Sequence, residues 1–240
     1  MALSRDELAA RLALDYKAAA ALKAPCLEPV RAYPDQRSFD HDQPITTEAE
    51  GSKARIYRVR YNITTLKGPG EFIEGCIVKF DLLAAGNYPM SPPLATVISR
   101  PTPWSPHFHT GGSICIGSGW TRARGKMLLA QLIIHIAKLL NFDEPGHGPG
   151  YVGYNAGASR YWHSACLGEP LDPDLVYPDL SAALVHGIQP SLRFAPLGKA
   201  LSPAPPAPTS PHFAPVSSRR PAGDSRFRPA VPAVPPFKPH

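Results

Sequence analysis

Strict alternation runs through "KARIYRVRYNI", with Tyr57, Val59, Tyr61 and Ile63 on one side and Arg58 and Arg60 on the other. A period of two with polar residues opposite apolar ones predicts a strand with one buried face. "CIVKFDLL" repeats the pattern through Cys76, Val78, Phe80 and Leu82, and "LATVI", Leu94 to Ile98, predicts a third strand. Between the first two, Leu66 to Phe72 ("LKGPGEF") places Gly and Pro where a turn needs them. Strands joined by such short links form an antiparallel meander, because parallel neighbours require long crossovers. A helical period frames the meander. Ser4 followed by Glu7 fits a capping box ahead of a helix from Arg5 to Leu22, with Leu8, Leu12 and Ala19 on one face and Pro25 as its stop. In "KMLLAQLIIHIAKLLN" the residues Leu129, Leu132, Ile133, Ile136 and Leu140 form an apolar stripe, leaving Gln131, His135 and Lys138 on a face expected to be solvated. "DEPGHGPG" ends that helix, and "YNAGASRYWHSACL" predicts another short one. Residues 27–52 read as irregular. The expected class is α+β: an N-terminal helix, a meander, a loop, a long central helix and a short C-terminal helix.

Composition changes the picture mainly past residue 168. The chain has 240 residues, enough for one well-packed domain with length to spare. A disproportionate share of its 30 prolines lies in residues 191–240, together with seven Lys/Arg against the single Asp224. That net +6 equals the charge of the whole chain, so residues 1–190 are neutral. The basic balance therefore gives no reason to expect a nucleic-acid-binding domain. The reading is a domain over residues 1–168, a connecting segment over 169–190 and a Pro-rich, basic, disordered tail over 191–240, a solvated extension whose proline runs (Pro203 to Pro208) resemble polyproline ligands. No apolar run is long enough to span a bilayer, and the N-terminus lacks a basic-then-apolar signal pattern, so no membrane partner and a cytoplasmic location are expected. Cys26, Cys76, Cys115 and Cys166 are widely spaced with no C-x-x-C pair, which argues against a disulfide framework or a metal site.

The stretch around Cys115 carries the candidate chemistry. "YPMSPP" (Tyr88 to Pro93) precedes the third strand, "SPHFHTGGSIC" leads to Cys115, Trp120 follows within a few residues, and "YNAGASRYW" places Asn155, Ala156 and Trp162 near the start of the last helix. Taken in this order, the four stretches resemble the ubiquitin-conjugating enzyme family over roughly residues 1–165. "YPMSPP" is similar to that family's Y-P-x-x-P-P. Counting back from Cys115 sets Pro106 on the proline of its H-P-N, His107 on the asparagine and Ser105 on the histidine. The short spacing from Cys115 to Trp120 and the altered H-P-N resemble divergent conjugating enzymes of bacterial ubiquitin-like systems.

The resemblance implies that Cys115 accepts the C-terminal acyl group of ubiquitin or a ubiquitin-like modifier from a ubiquitin-activating-type enzyme, as a thioester, and passes it to an amine, with or without a ligase. No cofactor is implied. Such a thiol must be accessible and rigidly held. His107 stands where the family uses asparagine to hold the loop or stabilise the oxyanion, and an imidazole in that role implies a pH-dependent activity. His109 carries a weaker expectation, and Ser105 is expected to alter loop support. The family's gate residue, which orients the incoming lysine, corresponds to Asp143, Glu144 or His147, with the register left open. Cys76 lies on an apolar face and reads as structural. Two other readings stay open: a non-catalytic module of the same fold that binds ubiquitin-like proteins, and a cysteine hydrolase pairing Cys115 with His107 or His109.

Overall fold

The computed structural model describes residues 3–117, 119–143 and 153–181. The Pro-rich tail, Glu144 and His147 lie outside the described residues. Helix α1 spans Arg5–Ala20, and its start matches the sequence: Ser4 Oγ accepts from the Glu7 N–H, and Glu7 Oε2 accepts from the Ser4 N–H at 2.8 Å. Four strands follow, β1 (Arg31–Tyr33), β2 (Ile56–Gly68), β3 (Glu71–Asp81) and β4 (Leu94–Val97), paired antiparallel in the order β1-β2-β3-β4. The protein is thus α+β with a meander sheet, as the alternation requires. Tyr57, Val59, Tyr61 and Ile63 are all buried, facing the same side as Cys76, Val78 and Phe80 of the paired strand.

The structure differs from the sequence reading where elements are short. Residues 27–52 contain β1, helix α2 (Gln36–Asp40) and a 3-10 helix at Glu48–Lys53. Three or five residues are too few for a period to emerge. Helix α2 covers one corner of the sheet's outer face: the Phe39 ring lies 4.6 Å below the Arg58 guanidinium and 5.2 Å from Lys79 Nζ. The turn between β2 and β3 is also tighter than Leu66 to Phe72, since the strands run to Gly68 and resume at Glu71. A register shift interrupts the pairing between Tyr61 and Thr64, and beyond it Thr65 and Leu66 are both buried, Leu66 in a separate cluster with Phe142 and Trp162. Thr65 Oγ1 donates to the Leu140 carbonyl at 2.7 Å.

Helix α3 spans Gly119–Arg122, helix α4 Leu129–Leu140 and helix α5 Ala156–Ala165. The apolar stripe of α4 (Leu129, Leu132, Ile133, Ile136 and Leu140) is fully buried against the sheet, whereas His135 and Lys138 are half-buried rather than solvated. No Ser, Thr, Asp or Asn stands at the start of α4; Gln131 Oε1 accepts the Leu128 N–H at 2.8 Å, and a further cap comes from α1. Asp15, fully buried, accepts the Leu129 N–H at 2.8 Å across 114 residues of sequence. The same carboxylate accepts from Arg11 Nε at 2.6 Å and from the Tyr88 hydroxyl. Arg11 in turn donates to the Gly125 and Met127 carbonyls. Burial works against the Arg11 charge, but Asp15 and Tyr88 outweigh it and the guanidinium is held more firmly protonated. Burial, with Asp15 second, pushes the Tyr88 phenol well above its ordinary range, so it donates at neutral pH.

The domain also runs on past residue 168. Asn141, buried at the end of α4, donates through Nδ2 to the Asp172 carbonyl at 2.8 Å and accepts the Asp172 N–H at 2.8 Å. Leu175, Tyr177 and Leu180 pack on the main core.

Removing one partner of a buried, fully hydrogen-bonded ion pair leaves the other charge uncompensated, at a cost of about 3–5 kcal/mol. Asp15→Ala is therefore expected to lower the unfolding free energy by that amount in urea titrations. Arg60→Ala, which removes an exposed pair with Glu28 at 3.3 Å, is expected to change it by less than about 1 kcal/mol.

Candidate functional site

Cys115 stands on a short hairpin added to the outer edge of β4. Phe108 and Ile114 bridge each other, the Cys115 N–H donates to the His107 carbonyl at 2.8 Å, and the His109 N–H donates to the Ser113 carbonyl at 2.9 Å. The hairpin is tied to β4 by the Val97 N–H donating to the Gly112 carbonyl at 2.8 Å and the Ile114 N–H to the Ala95 carbonyl at 3.2 Å. Phe108 and Ile114 alternate into the core, so His109, Ser113 and Cys115 fall on the opposite face, while His107 sits buried in the turn that the Phe108 N–H closes on the Ser105 carbonyl at 3.1 Å. Cys115 is partly buried, unlike the core cysteines.

The turn of this hairpin depends on glycine. The Gly112 N–H closes back on the His109 carbonyl at 2.8 Å, and Gly112 itself has φ +95°. A Cβ there would lie 2.7 Å from the Val97 carbonyl oxygen, the group that backs the hairpin against β4. This matches the four-residue turn with a left-handed closing glycine that commonly joins antiparallel strands.

The approach to the hairpin is equally fixed. Ser105, fully buried, faces the Leu139 carbonyl through Oγ at 3.4 Å, and the Trp104 N–H donates to the Leu66 carbonyl at 2.6 Å. The Pro106 carbonyl accepts from the Tyr154 N–H at 2.8 Å and the Asn155 N–H at 3.3 Å. Asn155 then caps α5 by accepting the Ala158 N–H at 3.1 Å. The stretch before α5 is thereby seated beside the hairpin, with the Tyr154 ring edge-on to His109 at 6.3 Å. On the other flank, Ile114 and Ile116 line an apolar groove of about 330 Å³ with Pro92, Pro93 and Leu94. Beyond it the Trp120 indole N–H donates to the Pro89 carbonyl at 2.8 Å, joining the segment after Cys115 to the "YPMSPP" corner.

His107 is 6% exposed, and what it supplies to Cys115 is its carbonyl rather than an imidazole presented at the surface. Asp143 is engaged with the end of α4 instead: its carboxylate lies 4.0 Å from Lys138 Nζ, and its N–H donates to the Lys138 carbonyl. Of the three gate candidates, Glu144 and His147 fall outside the described residues. Among the described residues no cluster of His, Cys, Asp or Glu suits a metal ion, and no helix is long and apolar enough to cross a membrane. The sequence reading passed over the hairpin's docking on β4 and the Tyr154 contact. The paired glycines after His109 signalled the first; nothing local signals the second.

The other thiols differ from Cys115 in setting. Cys26 and Cys76 are buried in the main core, and burial pushes Cys76 up to about 12 and raises Cys26 and Cys166 as well. A scan against models of known protein families finds no match, and no curated protein sequence is significantly similar to the chain.

Gly112→Ala is expected to destabilise the fold by more than about 1 kcal/mol in thermal unfolding, since strain at positive φ adds to a backbone clash. Gly117→Ala has strain alone, because at φ +67° its Cβ meets nothing within 4 Å, so its cost is expected to be the smaller. A thiol shifted to about 12 is ionised to about one part in ten thousand at pH 8, because each pH unit below it costs tenfold in thiolate. Iodoacetamide with peptide mapping is therefore expected to label Cys115 in the folded protein and Cys76 only after denaturation.

Proposed function

We propose that the protein is a ubiquitin-conjugating-type carrier that holds ubiquitin or a ubiquitin-like modifier as a thioester on Cys115. The observation that carries this reading is Cys115, partly buried but not sealed in the core, on a hairpin whose backbone is pinned on both sides, between an apolar groove and the Tyr154 segment. Pre-positioning of the attacking atom is what group transfer between two large partners needs, since each arriving partner then has only itself to orient. Supporting the family assignment, the stretches that resemble conjugating enzymes contact one another: Trp120 bonds the Tyr88–Pro93 corner, and Asn155 follows the residue whose N–H meets Pro106.

In the loading step the Cys115 thiolate attacks the thioester carbonyl carbon on the activating enzyme. The tetrahedral intermediate collapses by expelling that enzyme's thiolate. In the transfer step an uncharged amine attacks the new thioester, the Cys115 thiolate leaves, and the amine nitrogen gives up a proton to solvent or a nearby base. His107 supports the nucleophile through its main chain, and the imidazole's part in the oxyanion's stabilisation belongs to this proposal.

The test is acyl transfer with and without the protein partners. Ubiquitin, a ubiquitin-activating enzyme and ATP, and separately a peptide ending in a glycyl thioester, are incubated with the full chain, followed by non-reducing gels and mass mapping. The expected product is a Cys115 acyl adduct removed by thiol reductant, lost in Cys115→Ala and discharged by added lysine. A peptide thioester left unreacted at Cys115 overturns the carrier reading in favour of a binding module. Steady release of free acid without an adduct overturns it in favour of a hydrolase.

A further inference from the structure

The hairpin holds a second histidine whose bonding differs from that of His107. His109 is exposed, and its Nδ1 accepts the Gly111 N–H at 3.1 Å. Its carbonyl accepts the Gly112 N–H at 2.8 Å, and its own N–H donates to Ser113 at 2.9 Å. One residue therefore makes three of the bonds that shape the turn leading into Cys115. The Nδ1 bond also assigns the ring's protonation. An acceptor at Nδ1 needs a lone pair there, so the neutral ring carries its proton on Nε2. In the imidazolium both nitrogens are donors, and Nδ1–H would then oppose the Gly111 N–H.

We infer that His109 is a positioning residue for Cys115, whose neutral imidazole closes the hairpin turn through Gly111 and whose protonation releases it. This rests on the reading of Cys115 as the reacting group and adds a pH control to it. Residues 106–117 and β4 contain no Asp, Glu, Lys or Arg. The titratable neighbours are His107, buried two residues back on the hairpin, Tyr154, edge-on from the stretch before α5, and Cys115, diagonal to His109 across the hairpin. A side chain whose acceptor persists at every pH would substitute for the neutral ring alone. Asparagine is such a residue, because its side-chain oxygen accepts from the N–H two residues on.

The test uses the full chain, with His109→Asn and His109→Phe. The first readout is the Gly111 amide signal in proton–nitrogen spectra between about pH 5 and 8, the window in which histidines commonly titrate. It is expected to move with pH in the parent and to stay fixed in His109→Asn. The second is the rate of Cys115 alkylation by iodoacetamide, resolved by mass mapping and divided at each pH by the rate in His109→Asn, which removes the thiol's own ionisation. That ratio is expected to be near one at the alkaline end and to depart by about fivefold at the acid end, the shift one ordinary hydrogen bond supports. His109→Phe, which keeps a ring beside Tyr154 and loses the acceptor, is expected to show the acid-limb ratio at all pH values. A Gly111 signal insensitive to pH, a flat ratio, or a Phe variant that matches the Asn variant overturns the inference. Neither readout involves a modifier or an activating enzyme, so failure here leaves the carrier assay standing, and failure of that assay leaves these readouts intact.

Discussion

A single buried carboxylate organises this protein. Asp15 receives donors from its own helix (Arg11), from the corner before β4 (Tyr88) and from the first turn of α4 (Leu129). Desolvating such a charge costs several kcal/mol, and the cost is offset only when every lone pair has a donor. With a guanidinium, a phenol and a main-chain N–H converging on it, Asp15 meets that condition. Its value lies as much in specificity as in stability, because three segments remote in sequence have one arrangement that satisfies it.

The consequence reaches Cys115. Arg11 also holds the Gly125 and Met127 carbonyls, and Trp120 holds the Pro89 carbonyl, so the chain after the thiol is pinned to the Tyr88 corner and to α1. The chain before the thiol is pinned to the far end of α4 through Ser105 and to the start of α5 through Pro106. The hairpin between these anchors caps the β4 edge, which would otherwise present unpaired backbone groups. Edge protection and presentation of the thiol are thus one feature. The face that packs down carries Phe108 and Ile114, and by alternation the upper face must carry Cys115.

How much of this could be read from the chain follows from the range of each interaction. The β2 alternation and the α4 stripe are local, and Tyr57, Val59, Tyr61, Ile63 and the five apolar residues of α4 are buried as their spacing required. The Ser4–Glu7 box is local too, and it forms. For Asp15 only the Arg11 pairing one turn away is local; the partners that bury it lie 73 and 114 residues away, and an i,i+4 ion pair within a helix reads by default as solvated. The strap made by Asn141 escaped for the same reason: its partners belong to a segment whose own pattern is weak. For the two histidines, sequence offered a motif position for His107 and none for His109. Backbone geometry reverses the emphasis, since only a folded turn brings an imidazole nitrogen to the N–H two residues on.

Charge around the site also bears on what a carrier here would receive. From Leu82 to Phe142 the sequence has no Asp or Glu and five Lys/Arg, while the first carboxylate after it, Asp143, sits beside Lys138. A protonated lysine approaching Cys115 would meet no compensating carboxylate on this stretch, and the protonated form is in any case not the nucleophile. On the carrier reading the amine therefore has to reach the thioester already uncharged, or lose its proton to a base other than a carboxylate of this stretch.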